Sequence, residues 1–123
     1  DEEDFWYKNY DEAIAEAKEE NKKLFIDIGA PFCSICKAID NTIFKDKMVL
    51  EVLQEFIPVK INGADSSDQA CNHIKQTCTV LGFPTILVID PHTGTLIRRW
   101  GGELYERKPE SFAHELKEIL ELD

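Results

Sequence analysis

The stretch FIDIGAPFCSICK, Phe25 to Lys37, decides the fold. The run from Lys23 to Gly29 holds Leu24, Phe25, Ile26 and Ile28, a short apolar block that fits a buried strand better than a helix of so few residues. Asp27 is its one charged interior member. Ala30-Pro31-Phe32 interrupts the run, and a helical pattern then extends from Cys33 to about Thr42. Cys33 and Cys36 therefore stand in the first turn of a helix that directly follows a strand.

Upstream of this unit, Ala13, Ile14 and Ala17 recur at helical spacing between a candidate capping box, Asn9 with Glu12, and a stop near Asn21. They predict a short amphipathic helix over about residues 10–20, after an N-terminal extension over residues 1–9. Downstream, a second helix starts near Asp46, with Val49, Leu50, Leu53 and Phe56 apolar, and Phe56 to Ile61 reads as a strand. A polar loop from Asn62 to Asp68 leads to a helix expected over about residues 68–79, which Gly82-Phe83-Pro84 ends. Thr85 to Asp90 and Thr95 to Trp100 are strands joined by the turn Asp90-Pro91-His92-Thr93-Gly94, hence a hairpin. Pro109 opens a last helix, with Phe112, Leu116, Ile119 and Leu120 on one face. The first two strands are each followed by helix and should pair in parallel, so the sheet is mixed. The fold class is α/β: a three-layer α/β/α sandwich around a mostly four-stranded sheet.

The 123 residues make one domain, spanning residues 1–123, large enough to fold without disulfides or a metal. A formal charge of −10 argues against nucleic acid or an anionic membrane as partner. No apolar run approaches the roughly 20 residues of a membrane span. The chain opens on Asp1-Glu2-Glu3-Asp4 and not on a basic, apolar leader, so the expectation is either that the protein has no signal or that a signal or a larger parent chain has been cut away.

The four cysteines then call for chemistry more than scaffolding. Unpaired N–H groups and partial positive charge at a helix N-terminus stabilise a thiolate at Cys33, and thiolate is the species that attacks a disulfide. The i, i+3 spacing sets Cys36 one turn later on the same face, within reach of a mixed disulfide at Cys33. A zinc site shared with Cys71 and Cys78 is disfavoured, because six residues separate that second pair. A purely structural Cys33–Cys36 bond is disfavoured too, since so short a loop removes little unfolded-state entropy. Asp27, among Phe25, Ile26 and Ile28, should be desolvated, its pKa raised, and so suited to take a proton from Cys36.

FIDIGAPFCSICK, followed by VKIN (Val59 to Asn62), GFPT (Gly82 to Thr85) and Gly101, resembles the thioredoxin superfamily over nearly the whole chain. With VLGFPTILVID (Val80 to Asp90), it is most similar to the C-terminal periplasmic domain of the disulfide reductase DsbD and its free-standing thioredoxin-like relatives. The resemblance implies that Cys33 is the exposed attacking thiol, Cys36 the buried resolving one, and Asp27 the buried acid beneath them. It makes Lys60 the lysine that approaches this acid, and Pro84 a cis-proline whose neighbour Phe83 pairs by its backbone with an extended substrate peptide. Phe32, Pro84 and Gly101 would then rim the cysteines.

The activity so implied is thiol:disulfide oxidoreduction, mainly the reduction of disulfide-containing proteins by a monomer without metal or organic cofactor. Electrons would come from a dithiol donor, by resemblance a membrane reductase, outside the cytoplasm. Thioredoxins usually carry Trp before the first cysteine and Gly-Pro between the pair, where this chain has Phe32 and Ser34-Ile35. Without a His between the cysteines, the expected potential is on the order of −200 to −270 mV. Alternatives are a disulfide isomerase of the same fold and a redox-idle module that binds peptides against Pro84.

Cys71 and Cys78 would stand about 10.5 Å apart on an unbroken helix, beyond the roughly 7 Å reach of a disulfide. A structural disulfide in an interrupted helix, two buried thiols and a second redox pair all remain open. His73, His92 and His114 share no spacing and read as surface residues, while Trp6 and Tyr7 read as an apolar lid.

Overall fold

A computed structural model describes residues 2–65, 74 and 82–122. Helix α1 (Glu2–Phe5) and helix α2 (Tyr10–Glu20) lead into strand β1 (Leu24–Gly29) and helix α3 (Ser34–Asn41). A 3-10 turn (Ile43–Lys45), helix α4 (Lys47–Leu53) and strand β2 (Ile57–Asn62) follow. The hairpin is β3 (Thr85–Ile89) with β4 (Leu96–Trp100), and a 3-10 turn (Gly102–Glu106) precedes helix α5 (Pro109–Leu120). The sheet order is β2-β1-β3-β4. β1 pairs with β2 in parallel, while β1–β3 and β3–β4 are antiparallel, which is the mixed sheet the sequence predicts. The helix expected over about 68–79, with Cys71, His73 and Cys78, lies outside the described residues except for Ile74, which is helical and buried.

Local chemistry sets the boundaries. Asn9 caps α2 by accepting from the Glu12 N–H at 3.0 Å, and Asn21 ends the helix in the left-handed conformation, φ 55°. Asp46 caps α4 by accepting from the N–H groups of Met48 and Val49. In the hairpin turn the Asp90 carboxylate accepts from His92 N–H at 2.8 Å, and Gly94 takes a φ of 75° that other residues adopt at a cost.

The alternation of β1 divides the interior in two. Leu24, Ile26 and Ile28 face α2, whose buried residues Ala13 and Ala17 let the helix lie close to the sheet. Phe25 faces the other side, packed with residues of α3, α4 and α5. Its ring lies within 6.2 Å of five others, those of Trp6, Phe44, Phe56, Trp100 and Phe112. Edge-on aromatic pairs add about 0.5–1.5 kcal/mol each beyond their burial, so this cluster anchors the strand that carries the site. Asp27, two residues on, shares the face of Phe25 and so lies on the side of the sheet where α3 begins.

The N-terminal segment adds to the sheet. Tyr7 N–H donates to the Pro58 carbonyl at 2.8 Å and the Tyr7 carbonyl accepts from Lys60 N–H at 2.9 Å, a parallel bridge to Val59 on the outer side of β2. Trp6 enters the aromatic cluster as Tyr7 half-covers the other core, so the pair is a lid over both layers.

Candidate active site

The turn that ends β1 makes the site. Pro31, whose ring presets the backbone of a turn's second residue, follows Ala30, and the Ala30 carbonyl accepts from Cys33 N–H at 3.1 Å. Cys33 is thereby the N-cap of α3, with extended backbone (φ −87°, ψ 105°), and its sulfur accepts from the Cys36 N–H at 3.1 Å. The sulfur does for this helix what an Asp or Ser oxygen does elsewhere: it occupies an orphan backbone donor at the positive end of the helix dipole. A thiolate at this position gains from both effects. Cys33 and Cys36 are joined in a disulfide, their Cα atoms 5.3 Å apart, so the structure is that of the oxidised protein.

The order of exposure corrects the expectation of an exposed Cys33 and a buried Cys36. Cys33 is only 9% exposed, whereas Cys36 is half-buried and lines a groove. Gly29 lies against Cys36: a Cβ at that position would lie 3.4 Å from the Cys36 sulfur, in van der Waals contact with it.

Asp27 lies at the floor of the same groove, 7% exposed. Burial pushes its carboxyl up to about 7, against the lowering effect of the Lys60 charge and with a further rise from Asp40. Lys60 is the direct neighbour of Asp27 across the parallel β1–β2 pair, but its ammonium is held by Asp40, at 2.9 Å, and lies 5.0 Å from the centre of the Trp6 ring. Asp40 is four residues after Cys36 and so on the same face of α3. The lysine thus bridges α3, β2 and the N-terminal lid, and acts on Asp27 through space while bonded to another acid.

The second wall of the site comes from the loops around β3 and β4. The Phe83–Pro84 peptide bond is cis, and the Thr85 hydroxyl donates to the Gly82 carbonyl at 2.7 Å, closing the turn. Phe32 is 75% exposed and meets Phe83 edge to face, with ring centres 6.1 Å apart. Gly101 donates its N–H to the Glu103 carboxylate at 2.9 Å. Beside it, a Cβ on Gly102 would come within 3.8 Å of both Ile35 and Pro84, so the backbone there runs close under these two apolar groups. Exposed Phe32 and Ile35 and half-buried Phe83 form an apolar rim, with Pro84 buried beneath it and half-buried Gly101 and Gly102 beside it.

The fold therefore brings together Cys33, Cys36, Asp27, Lys60, Phe32, Phe83, Pro84 and Gly101, while Cys71 and Cys78 lie outside the described residues. Sequence reasoning missed Asp40, Gly29 and Ile35. Asp40 was findable from its i, i+4 relation to Cys36, and Ile35 as the apolar member of the spacer. Gly29 gave no local signal, because its closeness to Cys36 is tertiary. His92 is exposed, its ring 3.0 Å from the Asn21 side-chain oxygen, and His114 is exposed on α5. Among the described residues no helix is long and apolar enough to cross a membrane.

Comparison with known proteins agrees with this geometry. A family model described as thioredoxin-like matches residues 5–91. The thiol:disulfide interchange protein DsbD of Actinobacillus pleuropneumoniae is 30% identical over 84 residues, which cover 64% of this chain and 14% of that protein. The chain thus spans a small fraction of the length of the curated relatives it matches. Among solved structures, a thioredoxin from Thermus thermophilus superposes with a TM-score of 0.75 at 21% identity, covering 94% of this chain and 86% of the other. The C-terminal domain of Neisseria meningitidis DsbD, in its oxidised form, gives 0.68 at 14% identity over 92% and 97% of the two chains.

Proposed function

The chain belongs to the thioredoxin-like family, and from that premise we propose that it is a thiol:disulfide oxidoreductase that works mainly as a protein-disulfide reductase. The observation that carries the proposal is the place of the Cys33 sulfur as the cap of α3, accepting the Cys36 N–H. That arrangement favours the anionic form of Cys33 in the reduced protein.

In the forward reaction the Cys33 thiolate attacks a sulfur of the substrate disulfide, expels the other substrate sulfur as thiolate and leaves a mixed disulfide at Cys33. Cys36 gives its proton to the Asp27 carboxylate and attacks the Cys33 sulfur, releasing the second substrate thiolate and closing the Cys33–Cys36 bond. Asp27 suits that task because its carboxyl titrates near neutrality (about 7), so that it exchanges protons readily at working pH. The Phe32–Ile35–Phe83 rim, with Pro84 beneath it, would hold an extended, apolar stretch of substrate, with the backbone of Phe83 as a pairing strand.

The likeness to DsbD supports a dithiol donor in a membrane reductase and a place outside the cytoplasm, in the bacterial periplasm or anchored facing it. The absence of an intervening His supports a potential of about −200 to −270 mV. Insulin reduction with dithiothreitol as donor tests the activity, and a Cys36→Ala variant should trap substrates as mixed disulfides through Cys33. No turnover by the wild type and no trapped species would overturn the enzyme reading. A potential near −120 mV would replace the reductase by an oxidase, and faster repair of scrambled ribonuclease than of insulin would make it an isomerase.

A further inference from the structure

Gly63, the residue after β2, stands where the two walls of the site meet. Its N–H donates to the Gly29 carbonyl at 2.7 Å, at the root of the loop that carries Phe32 and Cys33. A Cβ on it would lie 2.3 and 3.0 Å from two atoms of the Phe83 ring and 2.7 Å from the Ile28 side chain. Real Cβ atoms do not come so close, so the Phe83 ring lies directly on the Gly63 backbone. The turn that presents this backbone is itself fixed. The Asn62 side chain accepts from Ala64 N–H at 3.0 Å, and the Asn62 carbonyl accepts from Asp65 N–H at 3.2 Å.

Topology makes the contact a long reach. In the order β2-β1-β3-β4 the end of β2 and the start of β3 flank β1, so they lie two strand spacings apart, roughly 9–10 Å. Phe83, two residues before β3, sends its ring across β1 to Gly63, on the face where Ile28 packs toward α2. Asp27 and the cysteines lie on the other face. The same ring meets Phe32 edge to face, with centres 6.1 Å apart. Phe83 therefore touches both the cysteine loop and the end of β2, and its backbone enters the cis bond to Pro84. Gly63 is needed for the room it leaves and not for an unusual backbone, since Gly94 alone of the described glycines has a positive φ.

We propose that Gly63 is a positioning residue for protein substrates: its bare backbone seats the Phe83 ring, and the seated ring sets how the Phe83 backbone meets an extended peptide beside Cys33. Gly63 itself touches neither sulfur nor substrate. A methyl group there displaces the ring toward Phe32 and turns the pairing edge of Phe83 away from the peptide. A disulfide too small to pair with that edge is indifferent to the change.

The proposal rests on the reductase reading, with Phe83 as the pairing strand, and its test separates the two. Reduced protein is reacted with insulin and with hydroxyethyl disulfide, which has no peptide backbone, and the first rate constant is divided by the second. The intrinsic reactivity of Cys33 cancels in that ratio. Gly63→Ala should lower it about fivefold or more. In a Phe83→Leu background, which has no ring to displace, the same substitution should change it by less than about twofold. A ratio that Gly63→Ala leaves unchanged, or an equal fall in both backgrounds, overturns the proposal. Nuclear Overhauser contacts between the Gly63 α-protons and the Phe83 ring test the geometry in wild-type protein, without any variant that has to fold; their presence is expected and their absence overturns the proposal. If wild type reduces both disulfides and the ratio does not move in Gly63→Ala, this inference fails alone. If wild type reduces neither, the reductase reading fails and takes this inference with it.

Discussion

Replacing Asp27 by asparagine should stabilise the oxidised protein at alkaline pH and leave it nearly unchanged in acid. Burial raises this carboxyl from 3.8 to about 7, a little over three pH units, and each unit corresponds to 1.36 kcal/mol, so ionising Asp27 in the folded chain costs about 4 kcal/mol. The direction follows from proton counting. Between pH 4 and 7 the folded chain binds a proton at Asp27 that the unfolded chain has released, so wild-type stability falls as pH rises across that window and levels off above it. Asparagine carries no charge and shows no such fall. Water that reaches the carboxylate from the groove reduces the penalty, so the variant should gain about 2–4 kcal/mol over wild type between pH 4 and pH 8. Urea denaturation of the oxidised proteins at pH 4, 6 and 8 measures it, and the disulfide keeps Cys33 and Cys36 from titrating. A difference between variant and wild type that stays constant with pH, within about 0.5 kcal/mol, would show that Asp27 is solvated or paired in a way the fold does not provide.

Three further outcomes are expected. Phe25→Ala empties the centre of five aromatic rings and should cost about 3–5 kcal/mol in chemical denaturation; a loss below 1 kcal/mol would mean that the cluster is loosely packed. Gly63→Ala drives a Cβ into the Phe83 ring and the Ile28 side chain and should cost about 1–3 kcal/mol, with a change in Phe83 chemical shifts that a silent loop substitution would not cause. Glu115 accepts from Arg107 and Trp100, at 2.8 and 3.2 Å, and from Arg98; burial opposes its ionisation, but these bonds hold its carboxyl below the usual range. Because the folded value is depressed, its contribution is present at neutral pH and is lost as pH falls through that value. Glu115→Ala should therefore cost about 1–2 kcal/mol at pH 7, trimmed by the exposure of both arginines, and progressively less below about pH 4 in thermal melts; an equal cost at pH 3 would contradict the ionic origin.

The strand-to-helix unit at Cys33 was legible because its signals are local. Four apolar residues in six around Asp27 spell a buried strand, Pro31 spells a turn, and two cysteines three apart spell one helix face. The boundaries moved where a residue plays two parts. Cys33 is the cap of α3 and not its first residue, and Phe56 belongs to the aromatic core just ahead of β2. What could not be read is tertiary. Lys60 sits next to Asp27 in register but bonds Asp40 across from another helix, a choice that depends on the height at which α3 crosses the sheet. The Glu115 cluster needs Arg98 and Trp100 from alternate positions of β4 under one turn of α5. The reversed burial of the two cysteine residues depends on how the strand end and the loops pack around the first turn of α3.

The hook of Tyr7 over β2 bears on how copies of this chain behave toward one another. A parallel or antiparallel edge with free N–H and C=O groups is a template on which a second sheet can grow. Tyr7 takes the ladder groups of Pro58 and Lys60 at the middle of the β2 edge, which leaves no continuous run there for another strand to follow. At the opposite edge β4 carries Arg98, bonded to Glu115 of α5, and Arg99, long charged side chains of the kind that blunt an exposed edge. Crowded copies thus meet a strand already bridged on one flank and charged side chains on the other.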